Sequence, residues 1–533
     1  MASRSQAHAN DKITIVKPNY IMKYRTQNLT FSLEEAVDIK RALARRLGLS
    51  VETIQSWNWV RKSLDVRHKN PKFQGIIDID LNVETSHLCR APELLLPKIP
   101  KLKGSKPRVA VVGAGPAGLF ASLALTQAGI TPDIYERGKP VERRARDIAA
   151  LMNSGALNEE SNICFGEGGA GTYSDGKLMT RTKSEFIPYI LSKFIEFGAI
   201  PDIAYEAHPH IGTDKLATIL KNIRFGLQER GAHYYFDTRI EDLWIENGVC
   251  CGIVANGEKL AYDAVFLCIG HSADDLYLKL YDRILMQPKP LAIGFRLEHP
   301  QALINEIQYG KFADHPLLPP AEYAVRFNQE KGPSVFSFCM CPGGRIVPSQ
   351  TTSDSRVVNG MSGSARNGRY ANAAIVAQVG PEDFLSGPLG GLEWIRNLER
   401  KAGYDLPPGL APAQRLMDFL NNKTSSSSPK VTYAPGIVSQ NINHLLPQHI
   451  AKALRVAFKT FDTQMRGFVS SEANVVGVET RTSSPVRIVR NDDFQSASAR
   501  NLYPLGEGAG YAGGITSCAL DGMKGVLNYL SRF

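Results

Sequence analysis

One stretch limits what this chain can fold into more than any other: RVAVVGAGPAGLFASLALTQAGITPDIYERG, residues 108–138. Four apolar residues, Val109–Val112, read as a buried strand. Gly113-Ala114-Gly115-Pro116-Ala117-Gly118 then spells G-x-G-x-x-G, and an apolar helix over Ala117–Ala128 follows. A second strand ends at Glu136, 23 residues after Gly113. That order is the dinucleotide fingerprint in its full context. Gly113 permits a tight turn, Gly115 lets backbone approach a pyrophosphate, and Gly118 lets helix and strand pack closely. Pro116 and Ala117 open the helix, whose amide donors and partial charge of about +0.5 suit an anion. Glu136 is placed to accept from ribose hydroxyls, and its charge would repel a 2′-phosphate.

The fingerprint alone does not separate FAD from NAD. Arg137, Arg143, Arg144 and Arg146 follow the second strand, and arginines there could reach a pyrophosphate from the opposite side. TRIEDLWIENGVCCGIVANGEKLAYDAVFLCIG, residues 238–270, reads as short alternating strands joined by ENG and ANG turns. This is a three-stranded meander leading into a buried strand, as in FAD-binding versions of the fold. Near the C-terminus, NLYPLGEGAG at 501–510 resembles the distal flavin motif in which an acid after a strand holds the ribityl chain. Here that acid is Glu507 where the motif has Asp. Gly513-Gly514-Ile515 begin the next helix, whose amides can face the flavin's N1–C2=O end.

Together these pieces resemble glutathione-reductase-type flavoproteins. GEGGAGTYSDGKL, AIGFRLEHP, SFCMCPGGRIVP, MSGSARNGRYANAAIV, ETRTSSPVRI and YPLGEGAGYAGGI are similar to one family of bacterial and plastid proteins, the FAD-dependent dehydrogenases or NAD(P)/FAD-dependent oxidoreductases. The likeness spans roughly residues 15–533. It implies a bound FAD and does not supply a substrate. It carries over Gly113, Gly115, Gly118, Glu136, Arg137, Arg144, Glu507, Gly513, Gly514 and Ile515 as FAD contacts. Gly168, Gly169, Gly171 and Thr172, from the glycine-rich FGEGGAGTYSDGKL at 165–178, carry over as well, and Gly270 is expected at the adenosine end. Backbone at Gly168, Gly169 and Gly171 is expected to lie against the flavin ring or ribityl chain.

No second G-x-G-x-x-G with a strand–helix context occurs, and neither does a C-x-x-x-x-C beside the first. Reduction is therefore expected from a transient NAD(P)H, a substrate or a protein donor. Tyr173, Asp175 and Lys177 are candidate catalytic groups beside the flavin, as is Arg481. Arg366, Arg481 and Arg487 could bind a carboxylate or phosphate, or be buried in salt bridges. Cys339-Met340-Cys341 could hold a metal half-site, form a strained disulfide, or present a thiolate to the flavin. The favoured expectation is that the two thiols diverge and merely pack, with Pro342-Gly343-Gly344 turning the chain.

At 533 residues the chain exceeds one core. The fold class expected is α/β: a Rossmann-like FAD-binding domain with its meander, a mixed α+β cap, and a small N-terminal α+β module. The divisions are 1–90 for the module (split βαβ-like), 91–107 for a Pro/Lys linker, 108–275 and 491–533 for the FAD-binding domain, and 276–490 for the substrate or cap domain. In the module, Ser32-Leu33-Glu34-Glu35 is a capping box, its helix closes near Gly48, and a second helix is expected after Ser50. Nine of the ten net positive charges fall in residues 1–107. That leaves a solvated basic surface or a docking face for an anionic partner. The eight cysteines form no C-x-x-C pair, so no metal site is expected and free thiols point to a reducing, cytoplasmic setting (plastid stroma if eukaryotic). MASRSQAHANDK has no apolar h-region, and no transmembrane segment is expected. The functional expectation is an FAD-dependent oxidoreductase passing a hydride to or from an organic substrate. The alternative is a non-catalytic or regulatory flavoprotein with a partner-binding N-terminal module.

Overall fold

A computed structural model describes residues 21–67, 70–93, 95–384 and 386–533. The reading of the extreme N-terminus falls on residues 1–20, outside these. Two compact units result: Met1–Leu95 with Ala204–His208, and Leu96–Ile203 with Pro209–Phe533. The first boundary lies within 91–107, where the described residues form neither helix nor strand.

In the first unit, β1 (Met22–Arg25) and β2 (Leu29–Ser32) precede two helices, α1 (Leu33–Ala36) and α2 (Ile39–Leu47). Ser32 Oγ accepts from the Glu35 amide while the Glu35 carboxylate accepts from the Ser32 amide, which closes the capping box. One helix was expected here and two form, because Asp38 caps a fresh start by accepting from the Arg41 amide. Gly48, at φ +66, ends α2. After Ser50 comes a single 3-10 turn, Val51–Thr53, in place of a second long helix. The reason is the alternation that starts at Ile54 and runs through Trp57 and Trp59, which suits a strand.

That strand is β3 (Ile54–Asp65). β4 (Lys72–Leu81) lies at the centre of the sheet: β3 pairs along one edge and β1 and β2 lie end to end along the other, all antiparallel. β1 and β2 therefore run in the direction of β3, with the helices between them and β4 inserted, a split βαβ order. β5 (Cys89–Arg90) extends the sheet beside β1. Alternate β4 residues, Phe73, Ile77, Ile79 and Leu81, are buried, as a half-covered sheet requires. Six basic side chains are paired inside the unit, by Arg25–Asp78, Arg45 and Arg46 with Glu35, Lys62–Glu206, Arg67–Asp65 and Arg90–Glu84.

The second unit starts with β6 (Val109–Val112), α3 (Pro116–Gln127), β7 (Pro132–Tyr135) and α4 (Val141–Ser154). α5 (Ile187–Glu196), α6 (Thr213–Glu229) and β8 (His233–Tyr235) follow. β9 (Ile240–Glu246), β10 (Val249–Ala255) and β11 (Glu258–Ala261) form the meander, and β12 (Ala264–Leu267) returns to the main sheet. Beyond α7 (Asp274–Leu280), β13 (Met286–Pro288) and β14 (Leu291–Pro300) come α8 (Gln301–Tyr309), β15 (Arg326–Phe327) and β16 (Val335–Cys341). Then follow β17 (Arg345–Pro348), β18 (Val358–Met361), β19 (Tyr370–Val379) and α9 (Gly390–Gly403). β20 (Ala411–Arg415), α10 (Leu416–Leu420), β21 (Ile437–Ser439), α11 (Gln448–Gln464), β22 (Asn474–Glu479) and β23 (Val486–Ile488) complete this part. β24 (Leu502–Pro504) and α12 (Ile515–Leu530) end the chain.

The Rossmann-like sheet has the order β24-β12-β6-β7-β8 and is parallel throughout. Its central strands are buried on both faces, as unbroken apolar runs require. α3 is buried from Ala117 to Leu125 without a polar face, which fits a helix held between the sheet and α12. The second sheet, β15-β16-β19-β14-β22-β20-β21, is antiparallel apart from β20 with β21. Fold class is thus α/β with a parallel dinucleotide-type sheet, a three-stranded meander and a mixed second layer. Among the described residues no helix is long and apolar enough to cross a membrane, and no group of three or more His, Cys, Asp or Glu could hold a metal ion.

Candidate functional site

The site is built around the turn after β6. Gly113 sits at φ +105, and a Cβ there would lie 2.3 Å from the Cys268 carbonyl oxygen. Only glycine passes between β6 and the end of β12. Gly118 serves the same contact from the helix side: a Cβ would fall 1.9 Å from the Gly113 carbonyl oxygen. Gly115 is the N-cap of α3, with Pro116 next and no side chain capping the free amides. At the other end of the fold, Gly514 caps α12 at φ +94, again with no side-chain cap. Both helix starts open on one cavity of about 280 Å³. Two uncapped N-termini on one cavity give it an anion-seeking character at both.

Glu136 lines the same cavity and is 5% exposed. One carboxylate oxygen accepts from the Ala114 amide at 3.0 Å, and the other from the amides of Gly138 and Gly166, both at 2.9 Å. A carboxylate has about four acceptor positions, so one direction is left toward the cavity that Glu136 lines. Glu507 lines the same cavity, with the His271 ring 3.4 Å from its carboxylate.

The glycine-rich stretch is shaped by Arg144. This α4 side chain is fully buried and donates to the carbonyls of Asn162 (2.9 Å), Ile163 (2.9 Å), Glu167 (2.7 Å) and Gly169 (3.0 Å), and to the Thr172 hydroxyl (3.3 Å). Every donor direction faces protein, and burial pulls its pKa below the ordinary arginine value. Arg144, expected as a cofactor contact, is not among the residues that line the cavity; it winds the loop around itself. A Cβ at Gly166 would lie 2.4 Å from Arg144 Cδ, so this glycine is the space that the guanidinium stem occupies. Gly168 and Thr172 likewise stand behind the wall. A Cβ at Gly168 would meet Leu220 at 2.2 Å and the Thr172 hydroxyl at 2.3 Å. Gly169 and Gly171 line the cavity. A Cβ at Gly169 would lie 3.4 Å from Gly115, and one at Gly171 would lie 3.2 Å from Ile515. The two glycine turns thus stand against each other and against the start of α12.

Arg137 stacks 4.0 Å from the Phe165 ring centre and pairs with Glu160 (2.8 Å) and Asp275 (3.0 Å) while lining the cavity. Pro116, Ala117, Gly270, Ile515, Tyr173, Asp175, Lys177 and Arg481 also line it. Gly513 does not. Tyr173 lies over Arg144, and burial raises its pKa, so its hydroxyl keeps its proton. Asp175 is buried and is gripped by both arms of Arg366, with Lys177 at 3.3 Å. Lys177 and Arg366 share Glu322, at 3.1 and 2.7 Å. Burial works against the Lys177 charge, but Glu322 and Asp175 outweigh it and raise its pKa. Lys177 is therefore a fixed ammonium and not a base near neutral pH. Arg481 is committed to Glu399 through two donors (3.1 and 3.0 Å), with Ser272 and Thr351 on the rest. Arg366 and Arg481 are both neutralised by buried carboxylates, and Arg487 does not line the cavity.

Sequence reasoning missed Phe338, Asn359, Thr238 and Ile240, all of which line the cavity, and the acid Glu322 that binds Lys177. Phe338 lies in SFCMCPGGRIVP and Thr238 and Ile240 open the meander stretch, but no local signal marks any of the five. It also misplaced the C-x-C pair. The thiols do not point apart across the strand: the Cys341 thiol turns back and donates to the Cys339 carbonyl oxygen at 3.4 Å. Positions i and i+2 of a strand share a face, and a bulge between Phe338 and Cys341, with Cys339 at φ +46, holds them there.

These groups fit an FAD: two uncapped helix starts for anionic and electron-rich groups, Glu136 for ribose hydroxyls, and open faces at Gly270 and Gly514, where a Cβ would meet nothing within 4 Å. Residues 290–482 match the family described as "FAD-dependent protein, C-terminal domain-like", and residues 23–80 match a domain of unknown function, DUF8436. The chain is 38% identical over 537 residues to an uncharacterized protein of Clostridium beijerinckii, covering 96% of this chain and 99% of that one. Among solved structures it is similar to a geranylgeranyl bacteriochlorophyll reductase-like protein of Thermoplasma acidophilum, at 11% identity, 80% and 79% coverage and a TM-score of 0.32. It is also similar to the FrdA subunit of Escherichia coli quinol fumarate reductase, at 11% identity, 80% and 70% coverage and a TM-score of 0.35.

Proposed function

We propose, from the premise that this chain belongs to one family with the Clostridium beijerinckii protein and carries an FAD-dependent C-terminal domain, that it is an FAD-dependent oxidoreductase. The observation that carries the reading is the single cavity onto which the starts of α3 and α12, Glu136 and Glu507 all open. FAD, when bound, supplies two-electron hydride chemistry. The chain supplies the rest. The α3 amides hold the pyrophosphate, and Glu136 accepts from the adenosine ribose. Glu507 accepts from the ribityl chain, and the α12 amides favour negative charge at the pyrimidine end of the ring.

The finer reading is a glutathione-reductase-type arrangement that exchanges a hydride with an organic substrate, with NAD(P)H as transient donor. The parallel sheet with its meander supports the arrangement. Tyr173, kept protonated, and Lys177, kept charged, can each donate a hydrogen bond or proton into the cavity, and neither can accept a proton there at neutral pH. Eight free cysteines support a reducing, cytoplasmic setting. The test is purification followed by the visible spectrum of oxidised flavin, then anaerobic addition of NADH and NADPH. Yellow protein that bleaches supports the reading. Protein that is colourless and does not retain added FAD overturns it, and a bound flavin that no donor reduces favours a structural role for FAD.

A further inference from the structure

We propose that Cys339 and Cys341 are a redox-active dithiol, which closes to an intramolecular disulfide by exchange with a small disulfide compound admitted to the cavity.

The placement of the pair carries this. Cys339 lines the cavity, and Cys341 is fully buried with its thiol on the Cys339 carbonyl. The bulge in β16 turns the Cys341 thiol back onto the Cys339 carbonyl at 3.4 Å, and both residues stand against one cation. Arg296 of β14, itself without exposed surface, donates Nη2 to the Cys339 carbonyl at 2.9 Å and to Cys341 Sγ at 3.4 Å. Its other donors hold Glu479 of β22 (3.1 and 3.2 Å) and Asn372 of β19. Lys177 adds a second positive charge from the glycine-rich stretch, with Asp175 and Arg366 beside it. The Cys341 hydrogen bond, Arg296 and Lys177 together pull the Cys339 pKa down, whereas the Cys339 sulfur and burial push that of Cys341 up. The sulfur of the residue that lines the cavity is the one an incoming disulfide meets, and the fully buried one follows, the order that an attacking and a resolving cysteine require.

The exchange balances without another reactant. The Cys339 thiolate attacks one sulfur of R–S–S–R, forming a mixed disulfide and expelling RS⁻. Cys341 passes its proton to the expelled RS⁻ and attacks the Cys339 sulfur, expelling the second RS⁻, which solvent protonates. The net change is one protein disulfide formed and one small disulfide reduced to two thiols; excess thiol reverses it. Cys250 and Cys251 serve as internal controls. They are neighbours in β10, neither lines the cavity, and burial pushes Cys250 up to about 11.

The proposal needs no flavin, so flavin content, read from the spectrum of the same sample, reports on the function above independently. The full chain, as purified, is exposed to glutathione disulfide, trapped with an alkylating agent and mapped by peptide mass spectrometry. The peptide holding Cys339 and Cys341 is expected to lose two hydrogens and escape alkylation, with recovery in reduced glutathione, while Cys250 and Cys251 stay alkylated. In Cys341→Ser a glutathione adduct is expected on Cys339; in Cys339→Ser none forms on Cys341. A measurement on the unaltered chain stands beside these variants: alkylation of Cys339 at neutral pH is expected about tenfold or more faster than that of Cys250. Full alkylation of both residues after glutathione disulfide, an adduct on Cys341 in Cys339→Ser, or equal alkylation rates for Cys339 and Cys250 would each overturn the proposal.

Discussion

Arg144 donates to the carbonyl oxygen of Gly169 at 3.0 Å from a guanidinium with no exposed surface, and so the loop that reaches the cavity is wound around an arginine that does not. The five acceptors on Arg144 span residues 162–172 and hold that segment in one shape. A buried acceptor that loses its only donor costs about 1–3 kcal/mol.

Arg144→Leu is therefore expected to cost on the order of 3 kcal/mol or more in stability and to abolish flavin retention, because Gly169 and Gly171 lose their fixed position. Arg143→Ala, one residue away but exposed and paired with Asp237, is expected to change stability by less than about 1 kcal/mol. Thermal melts with the flavin-to-protein absorbance ratio distinguish them. Equal effects of the two substitutions would sink the positioning role.

Glu136→Gln keeps the shape and removes two acceptor directions. The two carboxylate oxygens face three amide donors, and an amide side chain must turn its NH2 toward at least one of them. The expected result is FAD affinity lowered at least about tenfold, the effect of roughly 1.4 kcal/mol, measured by titration of the apoprotein with FAD followed by flavin fluorescence. Unchanged affinity would remove Glu136 from the ribose site.

Asp175→Asn removes the buried one of the two carboxylates that neutralise Arg366 and Lys177, leaving Glu322. Breaking a buried pair in this way costs about 3–5 kcal/mol. Lys177→Met should cost less, since Asp175 and Glu322 keep Arg366, and it leaves FAD bound. Denaturant midpoints check the order; a Lys177→Met as damaging as Asp175→Asn would contradict it.

Acid sensitivity follows from His299. Its Nε2–H donates to the Phe468 carbonyl at 2.8 Å, Nδ1 has no hydrogen-bond partner, and burial lowers its pKa to about 4 from an ordinary 6.5. Between those values the unfolded chain binds the proton and the folded one does not. Stability rises with pH there and is lost as pH falls from 6.5 toward 4, by at most about 3 kcal/mol. Glu479, raised to about 7 by burial, contributes with the opposite sign over an overlapping window, so only a difference isolates His299. His299→Gln should flatten the slope between pH 6.5 and 4 relative to wild type in denaturant titrations. Identical slopes would refute the assignment.

What the sequence determined by itself was local. The turn at Gly113, the buried helix after it, Glu136 at the end of the next strand and the three strands of the meander all depend on contacts within about thirty residues, where periodicity and the special backbone of glycine leave few choices. The Ser32 capping box is of the same kind. The tertiary structure decided which distant groups meet. Arg366 reaches Asp175 across 191 positions, Arg481 finds Glu399, and Arg296 brings Glu479 to the paired thiols. No periodicity encodes such choices, because the partner of a buried charge is set by whichever chain segment the sheets carry to it. For the same reason the sequence could not show what stands beside its glycine-rich stretch: Arg144 at Gly166, Leu220 at Gly168, Gly115 at Gly169 and Ile515 at Gly171, with Gly169 and Gly171 lining the cavity.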